Sequence, residues 1–140
     1  MKVDLFLTAD YANITGDGKL NVMGIFREIN AYSFPARHSL MHLVIRFEAE
    51  LGEFGQSRVI HVKLLDGVGK ELMAISGNIN IPEIKKGMIP QVNAVIELRD
   101  IVFPIPGIYQ FVVLIDKDHK GSIPVYLNLI DQPPKSQEEK

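Results

Sequence analysis

No cysteine and no tryptophan occur anywhere in the chain, and no apolar run approaches the length of a membrane-crossing helix. The missing thiol removes disulfides, thiolate metal sites and a cysteine nucleophile together. The fold must then rest on a hydrophobic core, and 140 residues that are 46% hydrophobic and 23% charged are enough to build one. The missing indole counts against sugar binding, whose faces are usually aromatic platforms, because only four tyrosines remain to supply them. A spanning helix needs roughly 18 to 20 consecutive apolar residues, so no membrane partner is expected. An excess of one charge is lacking too: 15 Lys and Arg face 17 Asp and Glu, for a net charge of -2. That balance gives no electrostatic footprint for nucleic acid, whose binding rests on cations neutralising phosphates. Asp4 and Asp10 interrupt the first apolar segment where a secretory signal would need continuity. The expected setting is cytoplasmic.

What the chain does have is a two-residue alternation, bounded by glycine- and proline-bearing turns. Leu43, Ile45, Phe47 and Ala49 share one parity, as do Ile60, Val62 and Leu64, and again Val92, Ala94, Ile96 and Leu98. Residues two apart on an extended strand point to one face, so each segment buries one side and solvates the other. About eight strands result: Val3–Asp10, Lys19–Phe26 with an extended continuation to Ser33, Leu40–Glu50, Ser57–Asp66, Lys70–Ile81, Gln91–Phe103, Ile108–Ile115 and Ser122–Ile130. Asp17-Gly18 and Asp66-Gly67 are hairpin turns, Gly24 marks a bulge or a close backbone approach, and Gly77 suggests a further irregularity. The short connection Leu51–Gln56 predicts that the strands on either side of it pair antiparallel, with Arg46 opposite His61 and Val44 opposite Lys63. Residues 82–90 form the longest connection, with room for one helical turn. Ile108–Ile115 is apolar on both parities, as in a strand covered on both sides or lying in an interface. The pattern predicts an all-β domain over residues 1–130, an antiparallel β-sandwich with a closed or partly open barrel as the alternative, followed by a flexible polar tail at 131–140.

Candidate chemistry is sparse. His42 and His61 have the parity of solvated outer-face residues, and His38 sits in a connection without an obvious partner. Asp116-Lys117-Asp118-His119-Lys120-Gly121 alternates carboxylates like a calcium loop but lacks the further oxygen ligands and the closing Glu, and reads as a polar hairpin turn. No Gly-x-Ser-x-Gly elbow and no phosphate-cradling glycine loop is present, and Glu48 and Glu50 read as solvated charges. No catalytic residue, metal ligand or cofactor is expected. There remain apolar residues at turns: Phe54 between two glycines, Met88 and Ile89 in the proline-bounded connection, and Phe103 and Ile105 flanking Pro104. Clustered and exposed, they would form an interaction site; folded back, they would plug the ends of the core. The leading expectation is a non-enzymatic domain that binds a protein partner or another copy of itself. The alternative is a small-ligand or carbohydrate-binding module lined by Phe54, Met88 and Phe103.

The blocks Asp4-Leu5-Phe6-Leu7, Ala9-Asp10-Tyr11-Ala12-Asn13, Gly18-Lys19-Leu20-Asn21 and Gly24-Ile25-Phe26, with the later Gly107-Ile108-Tyr109-Gln110-Phe111, resemble a family of small uncharacterised bacterial all-β proteins. The resemblance reaches to about Ile130, and its N-terminal block is the specific part. It implies a compact, non-secreted bacterial β domain and carries no activity and no functional residue over to this chain.

Overall fold

The computed structural model describes residues 1–83 and 91–131. Within them the chain forms β1 (Lys2–Ile14), β2 (Leu20–Phe26), β3 (Glu28–Ala31), β4 (Ala36–Glu48), β5 (Ser57–Leu65), β6 (Glu71–Asn80), β7 (Gln91–Phe103), β8 (Gly107–Ile115) and β9 (Asp118–Leu129), with a single 3-10 turn at Leu51–Glu53. Most of the connection expected to hold a helical turn, 84–90, and the tail from 132 onward lie outside the described residues. The strands divide between a four-stranded sheet, β2-β1-β4-β7, and a five-stranded sheet, β3-β9-β8-β5-β6. Met41, Leu43, Ile45 and Phe47 of β4 meet Val62 and Leu64 of β5 and Phe111 and Val113 of β8 in one buried cluster. Two sheets face each other across that cluster, so the sandwich, not the barrel, closes the core.

The expected pairing across Leu51–Gln56 does not form. β4 pairs with β1 and β7, whereas β5 pairs with β6 and β8. Arg46 therefore lies opposite Leu5 and Asn93 rather than His61, and Val44 opposite Leu7 and Val95 rather than Lys63. The connection carries the chain across the core from one sheet to the other. Alternation is satisfied equally by two strands side by side and by two strands facing each other, which is why parity alone suggested the wrong neighbour.

Three local expectations also change. The segment Lys19–Ser33 is not one extended strand: the chain turns at Arg27, leaves the four-stranded sheet and adds β3 to the edge of the five-stranded one, which makes nine strands in place of eight. There β3 runs parallel to β9, with Glu28 beside Tyr126 and Ala31 beside Leu129, the one exception to antiparallel pairing among the described residues. Gly77 lies in register opposite Ile60, and the irregularity of that hairpin falls at Leu64/Leu65 instead. The last turn is only two residues, Asp116 and Lys117, both at positive φ, so β9 begins four residues earlier than the pattern suggested.

With β4, β5, β7, β8 and β9 read as strands B, C, E, F and G, the sheet memberships are those of immunoglobulin-type sandwiches, in which two short-looped sheets enclose a core. A second mark of that arrangement is the Tyr109 side chain, whose hydroxyl donates to the Ile105 carbonyl at 2.6 Å and accepts from the Ile105 N–H at 3.2 Å. This tyrosine corner ties the start of β8 to the turn before it. Gly107, at φ 146°, lets the chain make that turn. Phe111, fully buried two residues on, fills the core where disulfide-bonded members of this architecture place a cysteine.

Candidate interaction surface

The turn residues picked out from the sequence do not gather at one place. Register puts the Lys2, Glu48, Ser57 and Gln91 termini at one end of the sandwich, and Ala36, Leu65, Phe103 and Gly107 at the other. Phe54, half-buried against the core, plugs the first end, where the Gly55 N–H, at φ 73°, donates to the Ile81 carbonyl at 3.1 Å. Met88 and Ile89 lie outside the described residues. Phe103 belongs to the opposite end and is a correction: it is fully buried, its ring edge-to-face with Tyr109 at 5.0 Å between centroids. A site lined jointly by Phe54 and Phe103 therefore does not assemble. Ile105 is exposed at 65% and borders a shallow cleft with Asp66, Gly67, Val68 and Pro106, of about 120 Å³. An open depression of about 350 Å³, sharing Asp66, Gly67 and Ile108, adjoins it, at the low end of the roughly 300–1,000 Å³ of pockets for drug-sized ligands.

Three of the titratable groups singled out in the sequence, His42, His38 and Asp116, are engaged within the fold. His42 is another correction: it is buried rather than solvated, with Nδ1 3.1 Å from the Asp10 carbonyl and its ring edge-on to Tyr11 at 5.2 Å. His38 packs against Phe26 at 5.7 Å. Burial holds its imidazole below the ordinary histidine range, against opposing pulls from the Asp10 charge and the Leu40 backbone. The Asp116 carboxylate accepts from the Val59 N–H at 3.0 Å and pairs with Arg58 at 3.3 Å, so in this polar hairpin turn it serves as an internal tie. Among the described residues no group of three or more His, Asp and Glu side chains is placed to hold a metal ion. No helix among them is long and apolar enough to cross a membrane.

A second exposed apolar surface lies on the β1–β2 hairpin. A register shift between Val3 and Leu5 turns Leu5, Leu7 and Ala9 of β1 to the outer face of the four-stranded sheet, beside Val44 and Val95. These do not stay open to water. β1 parts from β4 after Ala9, and the β1–β2 hairpin brings Ala12, Leu20 and Val22 onto them in a second apolar cluster. Other side chains of the hairpin remain partly open to solvent. Tyr11 and Met23 are direct cross-strand partners, Ile25 lies opposite Ala9, and their exposures are 49%, 66% and 62%. Gly24, between the last two, sits at φ 69°, and a side chain there would collide with the Asp10 carboxylate. The signal was available: Leu20-Asn21-Val22-Met23-Gly24-Ile25-Phe26 is apolar on both parities, the same pattern that drew attention to Ile108–Ile115.

No curated protein matches the chain. Among solved structures, it is similar to a Pseudomonas fluorescens alkylpurine DNA glycosylase bound to DNA containing an abasic site analog, at 13% identity and a TM-score of 0.49. That match covers 91% of this chain and 30% of that one. A family model spans residues 4–128, from the first residues of β1 to the end of β9, and takes in the Asp4–Phe26 block and the tyrosine corner alike. The chain belongs to DUF6941, a family of unknown function.

Proposed function

We propose that this is a non-catalytic interaction domain that docks a protein partner on the outward face of its β1–β2 hairpin. One observation carries the reading: Met23 and Ile25 of β2, a strand with no charged residue of its own, and Tyr11 of β1, the cross-strand partner of Met23, are each about half exposed or more, with the Asp10 carboxylate against Gly24 between them. Single exposed apolar residues are ordinary, but adjacent ones on a charge-free strand mark contact surfaces. The hairpin is rigid enough to present them, because its other face is anchored in the cluster around Val44. A bacterial, cytoplasmic setting belongs to the same proposal, supported by a fold that needs no disulfide and so no oxidising compartment. Affinity capture from the native cells, with the wild type beside Met23→Asp and Val68→Asp, tests it. A partner retained by Val68→Asp and lost by Met23→Asp is expected. Capture that is indifferent to Met23→Asp overturns the docking face.

A further inference from the structure

We infer that the protein partner docked on this hairpin brings an arginine to the Asp10 carboxylate, flanked by apolar side chains that cover Met23 and Ile25. The inference rests on the interaction reading above and deepens it by naming the chemistry of the partner's surface.

Asp10 is an exposed carboxylate without a counter-ion among the described residues. The arginines of the four-stranded sheet are each committed elsewhere: Arg37 to Asp100 at 3.0 Å, Arg46 to Asp4 at 2.9 Å, and Arg99 to Glu97. Lys2 lies beside Glu48 at the start of β1, and Lys19 pairs with Asp17 at the hairpin tip. Arg27, just past β2, forms no ion pair with Asp10. His38 feels the Asp10 charge, yet burial holds its imidazole below the ordinary histidine range, so at pH 7 it supplies no countercharge. The carboxylate is nevertheless held in place. His42 Nδ1 donates to the Asp10 carbonyl at 3.1 Å, which fixes the backbone. The side chain lies against Gly24, where only a residue without a Cβ leaves room for it.

The charge selects the partner. Gly24 stands between Met23 and Ile25, so a surface that covers those two also takes water from the Asp10 carboxylate resting on Gly24. An ionised carboxylate that loses water without gaining a cation cancels much of what two apolar side chains contribute. A purely apolar surface is therefore disfavoured, an acidic one is repelled, and a basic one is drawn in. Arginine suits the place better than lysine. Its planar guanidinium binds a carboxylate through two parallel N–H···O bonds and is more weakly hydrated than an ammonium. It also stacks on aromatic rings, and Tyr11, the next residue along, is 49% exposed.

Selection of a random peptide library displayed on phage tests this, with the immobilised full chain as wild type, Asp10→Asn and Met23→Asp. Peptides selected on the wild type should be enriched in arginine flanked by apolar residues. On Asp10→Asn the apolar residues should persist and the arginine enrichment should disappear; on Met23→Asp these peptides should not be recovered. A selected peptide, made synthetically, should bind Asp10→Asn about tenfold or more weakly than the wild type, and with its arginine replaced by citrulline should bind both proteins alike. Asp10→Asn should melt with the wild type, because the carboxylate holds nothing within the fold; a lower midpoint would make it a structural group and overturn the inference. A wild-type selection without arginine enrichment, or without any binder, overturns it as well. If binding depends on Met23 but is indifferent to Asp10→Asn, the arginine falls and the docking face stands. Indifference to both changes removes both readings.

Discussion

The two ends of the sandwich are closed by different chemistry. At the Tyr109 end the closure is apolar: Phe103 lies fully buried against the Tyr109 ring, and the tyrosine hydroxyl pins the Ile105 backbone. At the Met1 end it is electrostatic: the Met1 α-ammonium meets Glu53 at 2.6 Å, and Arg58 sits between Glu53 at 3.5 Å and Asp116 at 3.3 Å. The charges there lie over apolar groups, Met1, Ala49 and Ile81 buried and Phe54 half-buried against the core. The difference teaches that one fold can be sealed by burial at one end and held by charge at the other. The first closure should ignore salt and pH, and the second should respond to both.

Breaking the apolar end should have the largest effect. Phe103→Ala removes a buried ring that nothing nearby can replace, and should cost about 3–5 kcal/mol in urea unfolding. Tyr109→Phe keeps the ring and loses only the hydroxyl bonds to Ile105, at about 1 kcal/mol, because that turn is exposed and water can satisfy it. If the two variants cost the same, the hydroxyl and not the packing closes this end.

The electrostatic end is probed by pH. Burial by itself would raise the Glu53 carboxyl, but hydrogen bonds from the Met1 α-ammonium and the Glu50 N–H, with the Arg58 charge, hold it below the ordinary glutamate range. A carboxyl depressed in the folded state contributes stability that is present above its unfolded pKa, about 4.3, and is lost as pH falls through the lower folded value. The gap in urea midpoint between wild type and Glu53→Gln should therefore be full at pH 7 and close as pH drops below about 4. A gap that is constant with pH would assign Glu53 a packing role. The smallest effect belongs to Arg58→Ala, about 0.5–1 kcal/mol at low salt and less in 1 M NaCl, where the screening length is about 3 Å. The same salt should leave the loss in Phe103→Ala unchanged.

Much of the fold was legible where information is local. β7 was placed at Gln91–Phe103 from its alternation and flanking prolines, and the buried parity of β4, β5 and β7 was read correctly for Phe47, Val62 and Val92. The hairpins at Asp17-Gly18 and Asp66-Gly67 pair their strands as expected, β1 with β2 and β5 with β6, and the pairing that fails is the one across Leu51–Gln56. Alternation reports which side of a strand meets the core, and nothing in Leu43, Ile45 and Phe47 says whether Val62 lies beside them or across from them. The turn at Arg27 carries no glycine or proline to mark it, and both sides of it are extended. The candidate surface was half legible. Turn residues were chosen because turns are usually exposed, yet Phe103 is packed inward by its ring contact with Tyr109, and Met23 and Ile25 went unnoticed inside a strand. Their exposure depends on the hairpin folding over Val44, a long-range event that seven residues of sequence do not encode.

The parallel ladder between β3 and β9 carries a consequence for how the chain is born. Asn30 and Asn128, whose side chains bond across that ladder, are 98 residues apart. On a ribosome moving at roughly 5–20 residues per second, the edge formed by β3 stands unmatched for about 5–20 s before its companion is even polymerised. Throughout that interval the nascent polypeptide has an unfilled place in its second sheet, and the domain is completed only when almost its last residues emerge.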